Sequence, residues 1–369
     1  MSRSGIADLP LHYGRCPRWL FPRMVKLSKA ISEAIILEFG KDEFLRRLAD
    51  PYFFQSFSCV VGFDWHSSGT TTTLTGALKE ALNAEEHGIA VCGGKGKASK
   101  ATLSEIEEVA EKFSFTTKKA EQLQYASRVV AKVDTSAIQS GYQLYHHVLF
   151  VDEQGRWTII QQGLNPDNRY ARRYHWYHGK VESFVVEPHS AIVSDNVEKY
   201  VLNLTSKISL ETQETIADIS NESPKKVANM WQEIRDRSSV TLLDWIEPGF
   251  EKFNLKHLRM PRDIDWETAR RLYETQPKSF EEVLMTENVG PKMIRALALI
   301  SNLIYGTEVD WKDPVKYSFA VGGKDGVPFP VDRETYDRSI TVLKTAVENS
   351  KIEKDEQIKA LRRISAFVK

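Results

Sequence analysis

Apolar residues recur along this chain at two different intervals, and the change falls near residue 195. Before it, short runs rich in Val, Ile, Phe and Tyr alternate with stretches of helical spacing. YFFQSFSCVVGFDW reads as a strand, GIAVCGG as a strand entering a Gly-rich loop, and YQLYHHVLFVDEQGRWTIIQQGL as two strands joined by a turn from Asp152 to Gly155. VESFVVEPHSAI reads as a further strand that Pro188 closes. Helical spacing predicts helices over residues 23–39, 74–85 and 104–113, and after residue 195 over 195–207, 210–219, 223–237, 266–274 and 333–367. The fold class that follows is an α+β or α/β N-terminal domain with a mixed sheet over residues 1–195. An all-α C-terminal domain over 196–369 comes after it.

Strand alternation sorts the side chains of the central hairpin. Tyr145, His147 and Leu149 share one face and His146, Val148 and Phe150 the other, so the two histidines cannot both point into one site from a regular strand. Trp157, Ile159 and Gln161 likewise oppose Thr158, Ile160 and Gln162.

Residues 279–306, SFEEVLMTENVGPKMIRALALISNLIYG, predict an apolar helix, a tight polar turn and a second apolar helix. Ser279 suits an N-cap, and Asn288 tolerates the left-handed conformation that such a turn requires. Gly290 admits close backbone approach and Pro291 suits the first helical position. Free N–H groups at the second helix, beside Lys292 and Arg295, form a phosphate-binding arrangement. The segment resembles the helix-hairpin-helix of DNA-binding proteins that do not read sequence, with Glu287-Asn288 in place of that motif's Pro-Gly; the alternative is an ordinary αα-hairpin. Lys292 and Asp310 also have the spacing of the lysine and aspartate in helix-hairpin-helix DNA glycosylases, although the residues after Asp310 depart from that pattern.

Composition narrows the classes. Fifty basic and fifty acidic residues in 369 give a formal net charge of zero, so any nucleic-acid surface must be a local patch. Three separated cysteines, without a CxxC pair, argue against a disulfide framework and against a thiolate zinc site. No apolar run reaches spanning length and MSRSGIADLP lacks a signal core, so a cytoplasmic protein without a membrane partner is expected.

The N-terminal half holds the densest polar chemistry. GFDWHSSGTTTT sets Asp64 and His66 before a hydroxyl-rich helix start that suits either phosphate or simple capping. CGGKGK places Lys95 and Lys97 on a loop that lacks Walker A spacing and could grip a nucleic-acid backbone. Gln161, Gln162 and Asn165 offer amides for a base edge or for fixing a loop. Arg172 and Arg173 interleave with His175 and Trp176, a composition that suits base stacking and phosphate pairing, or else a core with an arginine rim. Glu187 and His189 end a strand, and with Asp64 they could hold a divalent cation, Mg or Mn. Lys324, in the Gly- and Pro-rich segment after residue 315, could reach DNA or the other domain.

GIADLPLHYGRCPRWLFPRM, GFDWHSSGTTTT, WTIIQQGLN, ARRYHW, VEPHSAI and KYSFAVGGKDGVPFPVDRETYD together resemble an archaeal and bacterial family known only as a domain of unknown function. The resemblance runs from residue 4 to about 340 and implies that these polar segments form one site, with the hairpin in the same working unit and a prokaryotic source. The function expected is DNA-binding and DNA processing in repair or recombination, as a metal-dependent nuclease acting on single-stranded or branched DNA, either as a monomer or as a homodimer. Asp64 and Glu187 would then hold the metal, His66 or His189 would ligate it or act as base, and Arg172 with Lys95 would neutralise the phosphate. A DNA-binding scaffold without catalysis is one alternative, and a helix-hairpin-helix DNA glycosylase or lyase is another.

Overall fold

The computed structural model describes residues 16, 18–62, 69–194, 196–240, 258–315, 333–350 and 352–368. Helices α1 (Phe21–Phe39), α2 (Lys41–Leu48) and α3 (Pro51–Val61) open it. The third corrects the strand expected over YFFQSFSCVVGFDW. Asp50 accepts hydrogen bonds from the Tyr52 and Phe53 amides at 2.8 and 3.2 Å, Pro51 starts the helix, and Gly62 ends it at φ 110°. Ten of its eleven residues are buried, so no polar stripe marks the helical period and the aromatic run imitates a strand.

Helices α4 (Gly69–Ala81) and α5 (Ala84–His87) lead into strand β1 (Ile89–Lys95), and α6 (Lys97–Lys100), α7 (Thr102–Lys112) and α8 (Thr117–Lys132) follow. Helix α8 ends in a π turn, Val133–Ala137, which enters the short strand β2 (Ile138–Gln139). Strands β3 (Gln143–Asp152), β4 (Trp157–Leu164), β5 (Ala171–Tyr177) and β6 (Ala191–Val193) join β1 in a five-stranded sheet of order β1-β3-β4-β5-β6. Every pairing in it is antiparallel, which settles the class as α+β and replaces the mixed sheet expected. Of the strand expected across VESFVVEPHSAI only Ala191–Val193 forms.

The described residues after 195 are largely helical, with one strand among them. Residues 202–203 form β7 (Leu202–Asn203), which pairs with β2, where a helix was expected over 195–207. Helices α9 (Leu210–Ser220), α10 (Pro224–Val240), α11 (Trp266–Thr275), α12 (Phe280–Met285) and α13 (Pro291–Ile304) come next. The single helix expected over 333–367 is two, α14 (Arg333–Glu348) and α15 (Lys354–Val368).

The sheet is covered on both faces, and the residue-195 boundary does not divide the cores. Leu149, Ile159 and Trp176 pack with α7, α8 and residues of α9 to α13. Val148, Phe150 and Ile160 pack with α1 to α4 and with residues of α14 and α15. The alternation expected within β3 and β4 therefore holds for the apolar positions.

Arg172 shows how tightly the two stretches are joined. It is fully buried, places its guanidinium over the Tyr142 ring at 4.3 Å, and donates at 2.6 Å to Asp313, 141 residues further on. Burial opposes its charge, yet Asp313 raises the guanidinium's pKa further above its usual value. Removing one partner of such a pair strands the other, which typically costs about 3–5 kcal/mol. Arg172→Met should therefore lower the urea-unfolding free energy by about that much. A loss below about 1 kcal/mol, the range of an exposed pair, would show that this ion pair does not hold the fold.

Candidate active site and hairpin

Three doublets lie side by side in the sheet. His147 pairs with Gln161 and Gln161 with Tyr174, while His146 pairs with Gln162 and Gln162 with Arg173. Successive residues of a strand point to opposite faces, so the three rows build two polar clusters back to back. Gly93 allows this closeness on the β1 side: at φ 96° it accepts the left-handed backbone, and a Cβ there would stand 2.2 Å from the His147 carbonyl oxygen.

The first cluster is a chain of buried groups. Asp134, in the π turn, accepts from Gln161 Nε2 at 2.5 Å, Trp176 Nε1 at 3.0 Å and His189 Nε2 at 2.5 Å. Gln161 Nε2 also reaches the Val130 carbonyl at 3.4 Å, so two acceptors fix the amide and leave Oε1 as an acceptor. Oε1 lies 2.8 Å from His147 Nδ1, which must then carry the proton. The lone pair of His147 Nε2 faces Ser127 Oγ at 2.8 Å. The direction of every bond follows from the carboxylate at the far end.

On the opposite face Arg173 donates to Gln55 at 3.1 Å, to Thr71 at 3.3 Å and through Nε to His175 at 2.9 Å. Thr71 and Tyr145 bracket the Gln162 amide. A bulge between Leu144 and His146 interrupts the alternation and brings Tyr145 to this cluster. His146 meets Thr75 at 3.0 Å through Nε2, and its buried Nδ1 has no partner among the described residues.

A cavity of about 740 Å³ opens where β3 begins. Ser127, His147 and Gln161 border it together with Lys100, Arg128 and Lys132, and Thr286, Glu287 and Asn288 of the α12–α13 turn close it. His146 borders it too, so both histidines adjoin one space although their partners lie on opposite faces. The turn has the local chemistry anticipated for it. Ser279 accepts from the Glu282 amide at 3.2 Å, Asn288 sits at φ 63°, and Pro291 begins α13. Lys132 donates to the Val289 carbonyl, Gln139 to the Pro291 carbonyl at 2.9 Å, and Arg295 to Gln139 Oε1 at 3.0 Å. Burial lowers the pKa of Lys132 and of Arg295.

The remaining expected residues are scattered. Asp64, His66 and Lys324 lie outside the described residues. Lys95 is exposed near the Tyr145 ring, Lys97 is exposed in α6, and Lys292 is exposed 3.8 Å from Asp263. Asp310 is engaged by the Lys312 amide at 2.9 Å and by Asn203, and among the described residues it makes no ion pair with Lys292. Asn165 is buried and accepts from the Asp167 amide at 3.0 Å, which fixes its loop. Arg172, Arg173, His175 and Trp176 are fully buried, so they face the core in this conformation and offer no surface to a nucleic acid.

Glu187 and His189, expected to share a metal, face different neighbours. Glu187 is exposed 3.5 Å from Lys207, whereas His189 is buried against Asp134. Among the described residues a close acid–imidazole group occurs at Glu33, Glu86 and His87. There the Asn83 amide donates to His87 Nδ1 at 3.1 Å, so Nε2 keeps its proton, and Lys29 already pairs with Glu86 at 2.8 Å. That arrangement suits a cation poorly. Ser127, Asp134 and the whole of α8 were missed in sequence. A serine and an aspartate seven apart among Val129, Val130 and Val133 were the available signal.

Burial holds three imidazoles below their ordinary pKa: His146, at about 3, with His147 and Lys95 adding to the effect; His175, well below 6.5, with Arg173 adding; and His147, where Gln161 and Asp134 partly oppose it. Unfolding would let all three take up protons below about 6.5. Their contribution is present in full above that pH and is lost as the pH falls through the window toward about 3 for His146. Stability should fall by up to about 1.4 kcal/mol per pH unit for each proton gained on unfolding. Urea titrations from pH 7.5 to 4.5 check this, and a flat profile would mean that the imidazoles are charged in the fold.

No curated protein and no solved structure matches this chain. A family match covers residues 5–331, with the description "Protein of unknown function (DUF763)". With most of its length inside that match, the chain belongs to the DUF763 family.

Proposed function

We propose that this protein binds DNA and processes it in repair or recombination, with the hairpin holding the phosphate backbone and the adjoining cavity receiving a phosphodiester. The observation that carries the reading is that the turn residues Thr286 to Asn288 border the same cavity as Ser127, His147 and Gln161. Lys100, Arg128 and Lys132 at its walls supply the cations that an anionic backbone needs. The first amides of α13 have no intrahelical acceptor and can meet phosphate directly. His147, neutral and oriented, suits proton abstraction at the cavity floor. A divalent Mg or Mn ion as cofactor belongs to the same proposal. Single-stranded or branched DNA is the expected substrate, because an unpaired strand enters such a cavity more readily than intact duplex does.

The competing reading is a repair scaffold without catalysis. It draws on one observation: Ser127 and His147 are only 4% and 7% exposed, so a substrate must enter the cavity to meet them. Labelled single-stranded, duplex and branched DNA, each incubated with magnesium, manganese or chelator, separates the two. Binding in every lane with cleavage in none would favour the scaffold.

The hairpin gives a sharper test. A side chain added at Gly290 meets no atom within 4 Å, and its φ of −137° suits any residue, so substitution there should not disturb the fold. Gly290→Val with Lys292→Glu should still weaken DNA binding for all sequences alike, because phosphate contacts carry no base information. The dependence of log affinity on log salt should become shallower by about one unit for each phosphate that the variant no longer neutralises. Unchanged affinity in the folded double variant would remove the hairpin from the binding surface.

A further inference from the structure

We propose that Ser127 is a nucleophile and His147 its general base, so that the cavity works through a covalent seryl intermediate. Four observations converge. Ser127 Oγ lies 2.8 Å from His147 Nε2. The far nitrogen of that ring is held at 2.8 Å by Gln161 Oε1, and Gln161 is held in turn by Asp134 at 2.5 Å. This is the nucleophile–base–orienting-group geometry of serine hydrolases, with an amide interposed before the acid. Finally, the serine and the imidazole border an open cavity walled by Lys100, Arg128 and Lys132.

A satisfied core serine would require none of this alignment. The imidazole could have donated to Ser127 and left Nδ1 for a backbone amide. Instead Asp134 fixes the Gln161 amide, the amide fixes the tautomer, and the tautomer aims a lone pair at the hydroxyl hydrogen. Asp134 and Gln161 act through His147 and are positioning residues.

The phosphodiester substrate rests on the DNA-processing reading above. In the first step the Ser127 proton passes to His147 Nε2 as Oγ bonds to phosphorus. The bond from phosphorus to one deoxyribose oxygen breaks, and that oxygen leaves with the proton from His147 Nε2. In the second step water attacks the phosphoserine, His147 takes one of its protons, and the proton returns to Ser127 Oγ as the O–P bond breaks. The net reaction consumes one water and yields a phosphomonoester and an alcohol, with no redox change.

The test uses the full chain and an alkyl fluorophosphonate, whose phosphorus accepts Oγ while fluoride leaves. Intact mass at pH 7.5 should show one adduct per chain, and peptide mapping should place it on Ser127. Ser127→Ala should abolish it, and His147→Gln should slow labelling by about a hundredfold or more. Ser127→Cys keeps a nucleophile in place and guards against a misfolded alanine variant. Iodoacetamide should modify that variant at position 127 faster than at Cys16, Cys59 or Cys92. Asp134→Asn should slow labelling and change the pH profile of the remaining rate, whereas a purely structural role would lower the melting temperature and leave that profile unchanged. Wild-type chain that binds or cuts DNA yet takes no adduct at Ser127 would overturn the inference and leave the DNA reading standing. Labelling at Ser127 without any DNA binding would do the reverse.

Discussion

Asp134 has no exposed surface, and a carboxylate in such a place costs several kcal/mol unless its oxygens find donors. Three arrive, from Gln161, Trp176 and His189, each on a different element. The strand carrying Gln161, the strand carrying Trp176 and the loop carrying His189 are thereby fixed to the end of α8. The π turn makes this possible, because an extra residue in the helical ladder turns Asp134 from the helix surface toward the sheet. The polarity of the bonds running to Ser127 starts at this one group.

The same demand for satisfied partners governs the opposite face. Arg173 is as deeply buried as Asp134, and Gln55, Thr71 and His175 share its donors. Two polar clusters within one sheet are a large liability, since each member left without a partner carries a desolvation penalty of about 1–3 kcal/mol. They also determine register: a slip of one residue in β3, β4 or β5 would exchange the clusters and strand every member. The Arg172–Asp313 pair extends this constraint into the helical region, and Lys132 and Gln139, donating to the Val289 and Pro291 carbonyls, hold the α12–α13 turn beside the cavity. In this view the hairpin and the histidine site are one assembly.

Much of this frame was legible in sequence. Period-two alternation placed Leu149, Ile159 and their neighbours on the correct faces, and the capping residue Ser279, the left-handed Asn288 and Pro291 marked the hairpin. Helix α3 was hidden because burial on all sides erases the 3.6-residue period. The arginines at 172 and 173 looked like surface because arginine is seldom fully buried; their partners Asp313 and Gln55 lie more than a hundred residues away, where no local pattern reaches. The Ser127–His147–Gln161–Asp134 chain escaped notice for a related reason. Its members come from a helix, two strands and a π turn, and only the folded register brings them together.

Photocrosslinking tests most directly whether the hairpin and the cavity work together. A single-stranded DNA with an azidophenacyl group on one backbone phosphorothioate would be bound to the full chain, irradiated and mapped by mass spectrometry. Crosslinks should concentrate on peptides spanning residues 99–103, 127–135 and 285–292, each of which contains residues that border the cavity. Crosslinks confined to 285–292, or spread evenly over the surface, would contradict it.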